Sequence, residues 1–495
     1  MAAFKHPLNL TLTLTQILNL TPSCTLSKIL NPKSPPKPYF LKTQCALKSI
    51  HSASKAQNCK NVIQVLEDRG LVDSITSQDL KSASSNPNSS PLKAYCGFDP
   101  TAESLHLGNL LGLIVLSWFR RCGHKTVALI GGATGRVGDP SGKSLERPEL
   151  DEKTLEKNIL GIRESISTVL GRSEEIFGGK EKIGDVIIMN NYDWWKEMKV
   201  LEFLREVGRY ARVGTMLAKE SVKARLSSEE GMSFTELTYQ LLQGYDFLYL
   251  FKNEEVSVQI GGSDQWGNIT AGTELIRKIL RAEGAYGLTF PLLLKSDGTK
   301  FGKSEGGAIW LSSSMLSPYQ FYQYFISVPD ADVINFLKIL TFLSLEEIAE
   351  LEKGMSGPGY EPNSVQRRLA EEVTRFVHGK DGLLEAVKAT EALKPGSEAK
   401  LDSKIIEEIG ADVPSCCLDY HEVLNRSLVD LSVASGLLES KSAARRLMKQ
   451  GGLYLNNKRV NGEDILVEEE DIVDGKVLLL SAGKKNKMVI KIIDN

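Results

Sequence analysis

The sequence lacks an apolar run long enough to cross a membrane. The stretch LLGLIVLSWF at 110–119 falls far short of the roughly 20 residues that a spanning helix needs, and two arginines follow it. Positive charge is not in excess either, since 60 Lys and Arg stand against 62 Asp and Glu, for a formal net charge of −2. We therefore predict a buried helix at 110–119 and no membrane partner. RNA contacts must use local basic patches.

The cysteines lack the spacing of a metal site or of a disulfide scaffold. There are seven of them, an odd number in a large chain, and no two stand in a CxxC arrangement. Only six histidines accompany them. We predict reduced thiols, no zinc site and no disulfide framework.

Acidic residues and arginine are both missing before Glu67. This segment contains eight lysines, many Ser and Thr, and the proline-rich stretch NPKSPPKP at 31–38. Such a composition is typical of an organelle transit peptide, which we place at 1–58. The missing arginines favour a chloroplast over a mitochondrion, and both destinations stay open. A secretory signal is disfavoured because threonines interrupt the apolar run at 8–20, and a disordered tail is the remaining alternative.

With 495 residues, 42% of them apolar, the chain has room for two or three domains. Short β-rich runs alternate with amphipathic segments, which predicts an α/β fold with a doubly wound, mostly parallel sheet. The predicted strands are 93–98, 126–132, 185–191 and 256–262, and the helices between them include 106–122, 152–170 and 264–281. We expect a catalytic nucleotide-binding domain at 60–317, a helical domain at 318–393, a linker at 394–425 and a small α+β domain at 426–495.

Two short segments hold residues suited to a nucleotide. In YCGFDPTAESLHLGN (95–109), a strand turns through Asp99 and enters a helix near His106. The helix amides, Thr101 and His106 can then meet phosphate oxygens. In KFGKS (300–304), two lysines three apart can neutralise charge that develops on leaving pyrophosphate. Each segment alone is as well explained by a capping histidine or a solvated loop.

Read together, the two segments resemble the HIGH and KMSKS motifs of class I aminoacyl-tRNA synthetases. From about residue 60 onward the chain resembles the bacterial-type tyrosyl-tRNA synthetases. The matching strings are YCGFDPTA (95–102), GGATGRVGDPSGKS (131–144), KNEEVSVQIGGSDQWGNITAG (252–272) and DGTKFGKS (297–304). The resemblance implies a Rossmann-like catalytic domain that converts L-tyrosine and ATP to tyrosyl-adenylate and pyrophosphate. Tyrosine would then pass to the 3′ end of tRNA(Tyr) in organelle translation.

Two other nucleotide motifs are absent. GDPSGKS (138–144) is not a P-loop, because Val137 stands where that motif requires a glycine five residues before Gly142. The GxGxxG fingerprint is also missing. A P-loop kinase and the simplest type of dehydrogenase are therefore excluded.

The resemblance also implies which side chains hold tyrosine. Tyr95 and Asp246 would read the phenolic hydroxyl, and a substrate without that hydroxyl would leave both unpaired in a dry pocket. The other expected contacts are Asp139, Tyr239 and Gln243 to the ammonium group, and Gln265 toward the carboxylate.

For ATP, the resemblance implies a binding set and an overlapping catalytic set. Magnesium would accompany ATP as substrate, and we expect no tightly bound cofactor and no protein metal site. The ATP-binding set is Gly97, Asp99, His106, Asn109, Gly262, Asp264 and Lys303. The catalytic set is Thr101, His106, Lys143, Arg147, Lys300 and Lys303.

One position departs from the HIGH motif, because its second histidine is Asn109 here. Asparagine keeps a hydrogen-bond donor but has no titrating ring. We interpret it as a tolerated variant. A catalytically silent RNA-binding or splicing protein on the same scaffold is the alternative that this position favours.

The last 70 residues resemble a small RNA-binding domain. A predicted helix near 442–449 and a following hairpin place basic side chains on nearby turns, which suits an RNA backbone. These are Arg445, Arg446, Lys449, Lys458 and Arg459. With the helical domain they would reach tRNA(Tyr), and a homodimer is expected by resemblance. A tryptophan enzyme of the same class is the closest rival, and Tyr95 with Asp246 counts against it.

Overall fold

The computed structural model describes residues 61–85, 90–143, 145–177, 186–229, 231–304, 307–397, 401–403, 406, 413–462, 465–483 and 486–493. All of them fall within one compact unit, Ala53–Asn495. The predicted transit peptide at 1–58 lies outside the described residues.

A six-stranded sheet forms the centre of the N-terminal part, with strand order β1-β6-β5-β2-β3-β4. Strands β2 to β6 run parallel, and the short β1 pairs antiparallel with β6 at one edge. The prediction of a mostly parallel, doubly wound sheet is confirmed. Its strands are β1 Ser74–Ile75, β2 Lys93–Phe98, β3 Lys125–Ile130, β4 Val186–Asn190, β5 Val258–Gly262 and β6 Tyr286–Phe290.

Helices connect these strands and cover the sheet. The apolar run 110–119 lies in α3, where every residue from Leu110 to Phe119 is buried, as the sequence predicts. The described helices of this part are α1 Val62–Asp68, α2 Asp79–Ser85, α3 Leu107–Arg121, α4 Glu152–Ile176, α5 Tyr192–Trp195, α6 Val200–Glu206, α7 Val213–Leu217, α8 Glu220–Leu226, α9 Phe234–Glu254 and α10 Trp266–Ile279.

Helix α9 carries three of the predicted tyrosine-binding residues, and its start is fixed by two interactions. Ser233 and Glu236 form a capping box, in which each side chain accepts a hydrogen bond from the other residue's backbone N–H. The buried Glu236 carboxylate also receives two hydrogen bonds from Arg225, at 3.0 and 2.9 Å.

After the hairpin β7 Lys303–Ser304 and β8 Gly307–Ala308, helices replace strands. This agrees with the helical segment expected at 318–393. Pro318 occupies the first turn of α11, where its missing N–H leaves no bond unmade. The helices are α11 Pro318–Ile326, α12 Asp330–Leu340, α13 Leu345–Met355 and α14 Ser364–Ala392, the last of which is interrupted at Gly379.

The C-terminal part is a five-stranded sheet with order β11-β10-β12-β13-β9, packed against short helices. Strand β9 lies inside the segment expected to be a linker. It pairs in parallel with β13, so residues 415–419 are part of this sheet. The elements are β9 Ser415–Asp419, α15 Tyr420–Val423, α16 Leu428–Ala434, α17 Lys441–Lys449, β10 Leu453–Leu455, β11 Lys458–Arg459, β12 Val477–Ala482 and β13 Asn486–Ile493.

Cys96, Cys416 and Cys417 are free thiols. Cys122 is disulfide-bonded, so the expectation of reduced thiols is wrong at that position. Within the described ranges, no helix has the length and apolar character needed to span a bilayer.

Candidate functional site

The candidate site lies at the carboxyl ends of β2, β3 and β5, the edge at which a doubly wound sheet binds ligands. Gly131 at the end of β3 leaves room for the Asp99 side chain, since a Cβ there would lie 1.9 Å from Asp99 Oδ1. Gly97 has open space where a Cβ would be. At these two glycines no side chain of their own covers the backbone of this sheet edge.

Asp246 is a buried acid whose carboxylate accepts three hydrogen bonds. It is 2% exposed, and its carboxylate accepts N–H groups from Asn191 (2.9 Å), Trp194 (2.9 Å) and Trp195 (2.7 Å). Burial raises its pKa to about 7, although the three donors oppose that rise. A carboxylate held in this way is suited to accept a hydrogen bond from a buried ligand hydroxyl.

Tyr95, on β2, is close enough to Asp246 of α9 to sense the charge of its carboxylate. It is 1% exposed, and its hydroxyl has no hydrogen-bond partner among the described residues. Burial, and next the negative charge of Asp246, raise its pKa well above the ordinary value. A buried hydroxyl without a partner is unfavourable unless a ligand completes it.

A chain of hydrogen bonds joins Asp246 to Asp99. Asn191 donates to Asp246 and to Thr134 Oγ1 (3.1 Å), and Thr134 donates to Asp99 Oδ1 (2.7 Å). Tyr239 then donates to Asp99 Oδ2 (2.7 Å). Asp99, expected in the ATP-binding set, thus has one carboxylate oxygen bonded to Thr134 and the other to Tyr239. Burial raises its pKa to about 6.

A second group of polar side chains is centred on Asp139. Its carboxylate accepts the Ser141 N–H (3.0 Å) and the Gln265 amide (2.8 Å). The amide of buried Asn268 reaches Gln243 Oε1 and Gln265 Oε1, both at 3.1 Å. The structure thus brings the predicted residues Asp139, Gln243 and Gln265 together, with Gln265 directly on Asp139.

His106 and Asn109 form a capping box at the start of α3. His106 Nδ1 accepts the Gly108 N–H (3.1 Å), and Asn109 Oδ1 accepts the His106 N–H (3.1 Å). Asn109 therefore uses its oxygen, not the expected donor, and its amide nitrogen remains available for a ligand. The pKa of His106 is lowered, first by desolvation and then by Lys143, Lys303 and Arg147.

Four basic side chains gather near His106. The pKa of Lys143 is lowered, first by desolvation and then by the positive charges of Arg147, Lys303 and Lys300, while Asp264 opposes the shift. Arg147 is fixed by donating to the Asp139 carbonyl (3.0 Å). Mutually repelling cations in one place predict an anionic ligand. We call Lys300–Ser304 the lysine loop.

Asp264 lies between the two halves of the site. Its carboxylate is close to Gly142 of the GDPSGKS turn and to Gly262 at the end of β5. Thr101 is exposed in the turn that follows Asp99. Across the described part of the chain, no three His, Cys, Asp or Glu side chains are grouped as a metal site would require.

The basic residues of the C-terminal part share one surface. Helix α17 buries Ala444 and Met448 and exposes Arg445, Arg446 and Lys449. The β10–β11 hairpin exposes Lys458 and Arg459. The Arg459 guanidinium packs over Gly451, just after the helix, and so brings the hairpin charges next to the helix charges.

Sequence reasoning missed five side chains that complete the site. Two of them lie inside matching strings that assign them no role, and the other three lie outside those strings, although Asn191 directly follows β4 as Asp99 follows β2. The missed residues are Thr134, Asn191, Trp194, Trp195 and Asn268.

Comparisons with known proteins agree with this geometry. The family described as tRNA synthetases class I (W and Y) matches residues 87–393, and the tyrosine–tRNA ligase SYY-like C-terminal domain matches residues 405–490. The first family includes tryptophan enzymes, whereas the second is described for tyrosine enzymes alone.

Relatives and solved structures point the same way. The chloroplastic/mitochondrial tyrosine–tRNA ligase of Arabidopsis thaliana is 68% identical over 451 residues, which cover 90% of this chain and 87% of that protein. The tyrosine–tRNA ligase of Protochlamydia amoebophila is 52% identical over 434 residues, covering 88% and 99%. The crystal structure of a C-terminally truncated mitochondrial tyrosyl-tRNA synthetase from Aspergillus nidulans superposes with a TM-score of 0.60 at 32% identity. It covers 69% of this chain and 98% of that one.

Proposed function

Because the chain belongs to the class I tyrosyl-tRNA synthetase family, we propose that it is a tyrosine–tRNA ligase whose sheet-edge site activates L-tyrosine with ATP and transfers it to tRNA(Tyr). One observation carries the assignment of the amino acid. The buried Asp246 carboxylate of α9 acts electrostatically on Tyr95 of β2, whose buried hydroxyl has no partner among the described residues. A phenolic hydroxyl placed between them would satisfy both.

The remaining tyrosine contacts follow from the two polar groups. Two sets of side chains supply negative charge and hydrogen-bond acceptors for the substrate ammonium group. They are Asp139, with Gln243 nearby, and the Tyr239–Asp99 pair. The amide nitrogen of Gln265 donates to the Asp139 carboxylate. We propose that the Gln265 side chain faces the substrate carboxylate. The carboxylate of the bound tyrosine then attacks the α-phosphate of ATP in line, which releases pyrophosphate.

Activation needs no side-chain nucleophile, because phosphoryl chemistry of this kind depends on positioning and on neutralising charge. The cationic set for pyrophosphate consists of Lys143, Arg147, Lys300 and Lys303. His106 and Thr101 face the phosphates of ATP. Gly97, Asn109, Gly262 and Asp264 line the nucleoside side. Magnesium would enter bound to ATP, as part of the substrate.

For tRNA, the C-terminal surface of Arg445, Arg446, Lys449, Lys458 and Arg459 offers five cations to phosphates. We place the catalytic domain at 60–317, the helical domain at 318–393 and the start of the RNA-binding domain at β9 instead of residue 426. The segment that remains as a linker is then correspondingly shorter.

ATP–pyrophosphate exchange tests this function, with tyrosine, phenylalanine and tryptophan supplied separately. We expect exchange with tyrosine alone, and charging of tRNA(Tyr) by the same preparation. Exchange with tryptophan would assign the chain to the other enzyme of the family. A folded protein without exchange would favour a silent RNA-binding role.

We propose a homodimer on the evidence of an exposed apolar surface. Helix α6 has no buried residue, and its Val200 and Leu201 are 73% and 79% exposed; Phe234, at the start of α9, is 76% exposed. Exposed apolar side chains on one helix, as on α6, are typical of an interface. Sedimentation should give a dimer for the wild type and a shift toward monomer for Leu201→Glu. A wild-type monomer at micromolar concentration would refute the dimer.

We propose delivery to the chloroplast, the mitochondrion or both through residues 1–58. The lysine-rich, acid-free composition supports it. A fluorescent protein fused to this segment should enter one of these organelles, and a cytosolic distribution would contradict the proposal.

A further inference from the structure

Three backbone N–H groups form a hydrogen-bond chain from the His106 motif to the helical part of the molecule. Leu107 donates to the Ile309 carbonyl (2.8 Å), and Ile309 donates to the Gly302 carbonyl (3.1 Å). Gly302 in turn donates to the phenolic oxygen of Tyr324 at 2.9 Å. Tyr324, on α11, is therefore the last acceptor of a chain that passes through the lysine loop.

The Gly302 N–H has no easy replacement for that acceptor. Gly302 is buried and has a φ of 115°, a conformation that suits glycine. A Cβ on it would lie 3.5 Å from the Leu107 Cβ, so the loop backbone lies close to the start of α3. A buried N–H that loses its partner is unfavourable, because water cannot readily reach it.

The neighbouring Phe301 holds the same loop against the helices. Its ring lies 4.9 Å from the Tyr324 ring and 4.1 Å from the Phe336 ring of α12, measured between centroids. Lys300 and Lys303 flank these two anchored residues and are exposed. The centre of the loop is thus fixed while its charged side chains reach solvent.

We propose that Tyr324 is a positioning residue for tyrosine activation. By accepting the Gly302 N–H, its hydroxyl oxygen holds Lys303 at the correct place relative to His106 when pyrophosphate leaves. This inference rests on the proposed function, since it assigns Lys303 to the pyrophosphate. Small displacements of a charge-stabilising group reduce its effect on the transition state, so loss of this one acceptor should slow activation.

Tyr324→Phe removes the acceptor and leaves the ring that packs on Phe301. Tyr360→Phe is a matched control, because the Tyr360 hydroxyl is buried without a partner among the described residues. In the full chain, we would measure the single-turnover rate of tyrosyl-adenylate formation, the Kd for tyrosine and the Tm. We expect the rate to fall on the order of tenfold in Tyr324→Phe with the Kd for tyrosine unchanged, and a small decrease in Tm because the buried Gly302 N–H loses its acceptor. Tyr360→Phe should match the wild type in rate and in Kd, with a Tm equal to or slightly above that of the wild type.

A second measurement needs no catalytic activity. Trypsin should cleave after Lys300 or Lys303 faster in Tyr324→Phe than in the wild type or in Tyr360→Phe, because the loop is held less firmly. Equal cleavage, or an activation rate within twofold of the wild type, would overturn the proposal. A slower rate accompanied by weaker tyrosine binding would overturn it too, since that pattern indicates general structural damage. A wild-type chain that forms no adenylate would count against the proposed function, and the trypsin comparison would still decide whether Tyr324 holds the loop.

Discussion

The hydroxyl of Tyr239 donates to the carboxylate of Asp99 at 2.7 Å, across 140 positions of sequence. This bond joins the first half of α9 to the loop after β2. Through Thr134 and Asn191 it extends to Asp246. Tyrosine recognition is therefore the work of one connected set of buried groups, and a change at one member should be felt at the others.

Tyr95→Phe separates stability from binding. The Tyr95 hydroxyl is buried without a partner among the described residues, so its removal should leave the free energy of unfolding unchanged or raise it by up to about 1 kcal/mol. The same change removes a contact to the substrate hydroxyl, and KM for tyrosine should rise about tenfold. Urea denaturation and steady-state kinetics measure the two effects. A destabilised variant with an unchanged KM would show that the hydroxyl has a structural partner instead.

Asn191→Ala should weaken tyrosine binding although the sequence gives no motif at this position. Its amide nitrogen donates to Asp246 and Thr134, and its oxygen accepts the Ala133 N–H at 2.7 Å. We expect a loss of about 1–3 kcal/mol in the free energy of unfolding and a higher KM for tyrosine, with KM for ATP little changed. Asn253→Ala, at an exposed position of α9, serves as the control. Equal KM values in the two variants would exclude Asn191 from recognition.

The raised pKa values of Asp246 and Asp99 predict how stability depends on pH. The pKa of an exposed aspartate carboxyl is 3.8. Burial in the folded protein raises the pKa to about 7 for Asp246 and to about 6 for Asp99. Between these limits the folded state binds more protons than the unfolded state, so their contribution to stability falls as pH rises from about 4 to about 7. Urea titrations across this range should show a smaller slope for Asp246→Asn than for the wild type. Identical slopes would mean that Asp246 is ionised throughout.

Lys143→Gln should slow activation without destabilising the protein. Lys143 lies among Arg147, Lys300 and Lys303, so neutralising it relieves repulsion in the free enzyme. The same charge is needed when pyrophosphate leaves, and we expect the activation rate to fall roughly 10- to 100-fold. Lys153→Gln, at an exposed position in the first turn of α4, should change neither rate nor Tm. A marked loss of Tm in Lys143→Gln would contradict the view that this cluster is built for an anion.

Much of the fold could be predicted because its periodicities are strong. The strand at 93–98 and the helix from about 106 were placed nearly to the residue, since alternating and helical apolar patterns have different periods. The two-residue β1 was missed because so short a strand has no period. The sequence predicts linker where β9 lies, because the pairing of β9 with β13 depends on residues about 70 positions away.

The site was predictable where a motif marks it and not elsewhere. The resemblance identifies Asp246, but it does not reveal that Trp194 and Trp195 both donate to this carboxylate. These indole groups follow β4, and only the parallel order of the strands brings them beside α9. The role of Asn109 likewise came from geometry, because a capping box depends on helix dihedrals that a single letter does not show.

The most direct test of the account compares kcat/KM for tyrosine with kcat/KM for phenylalanine, in the wild type and in Asp246→Ala, by ATP–pyrophosphate exchange. The account predicts a strong preference for tyrosine in the wild type that is largely lost in the variant, because the hydroxyl then has no carboxylate to meet. A variant that remains folded and keeps the wild-type preference would contradict it, and recognition of the hydroxyl would have to be sought outside the Tyr95–Asp246 pair.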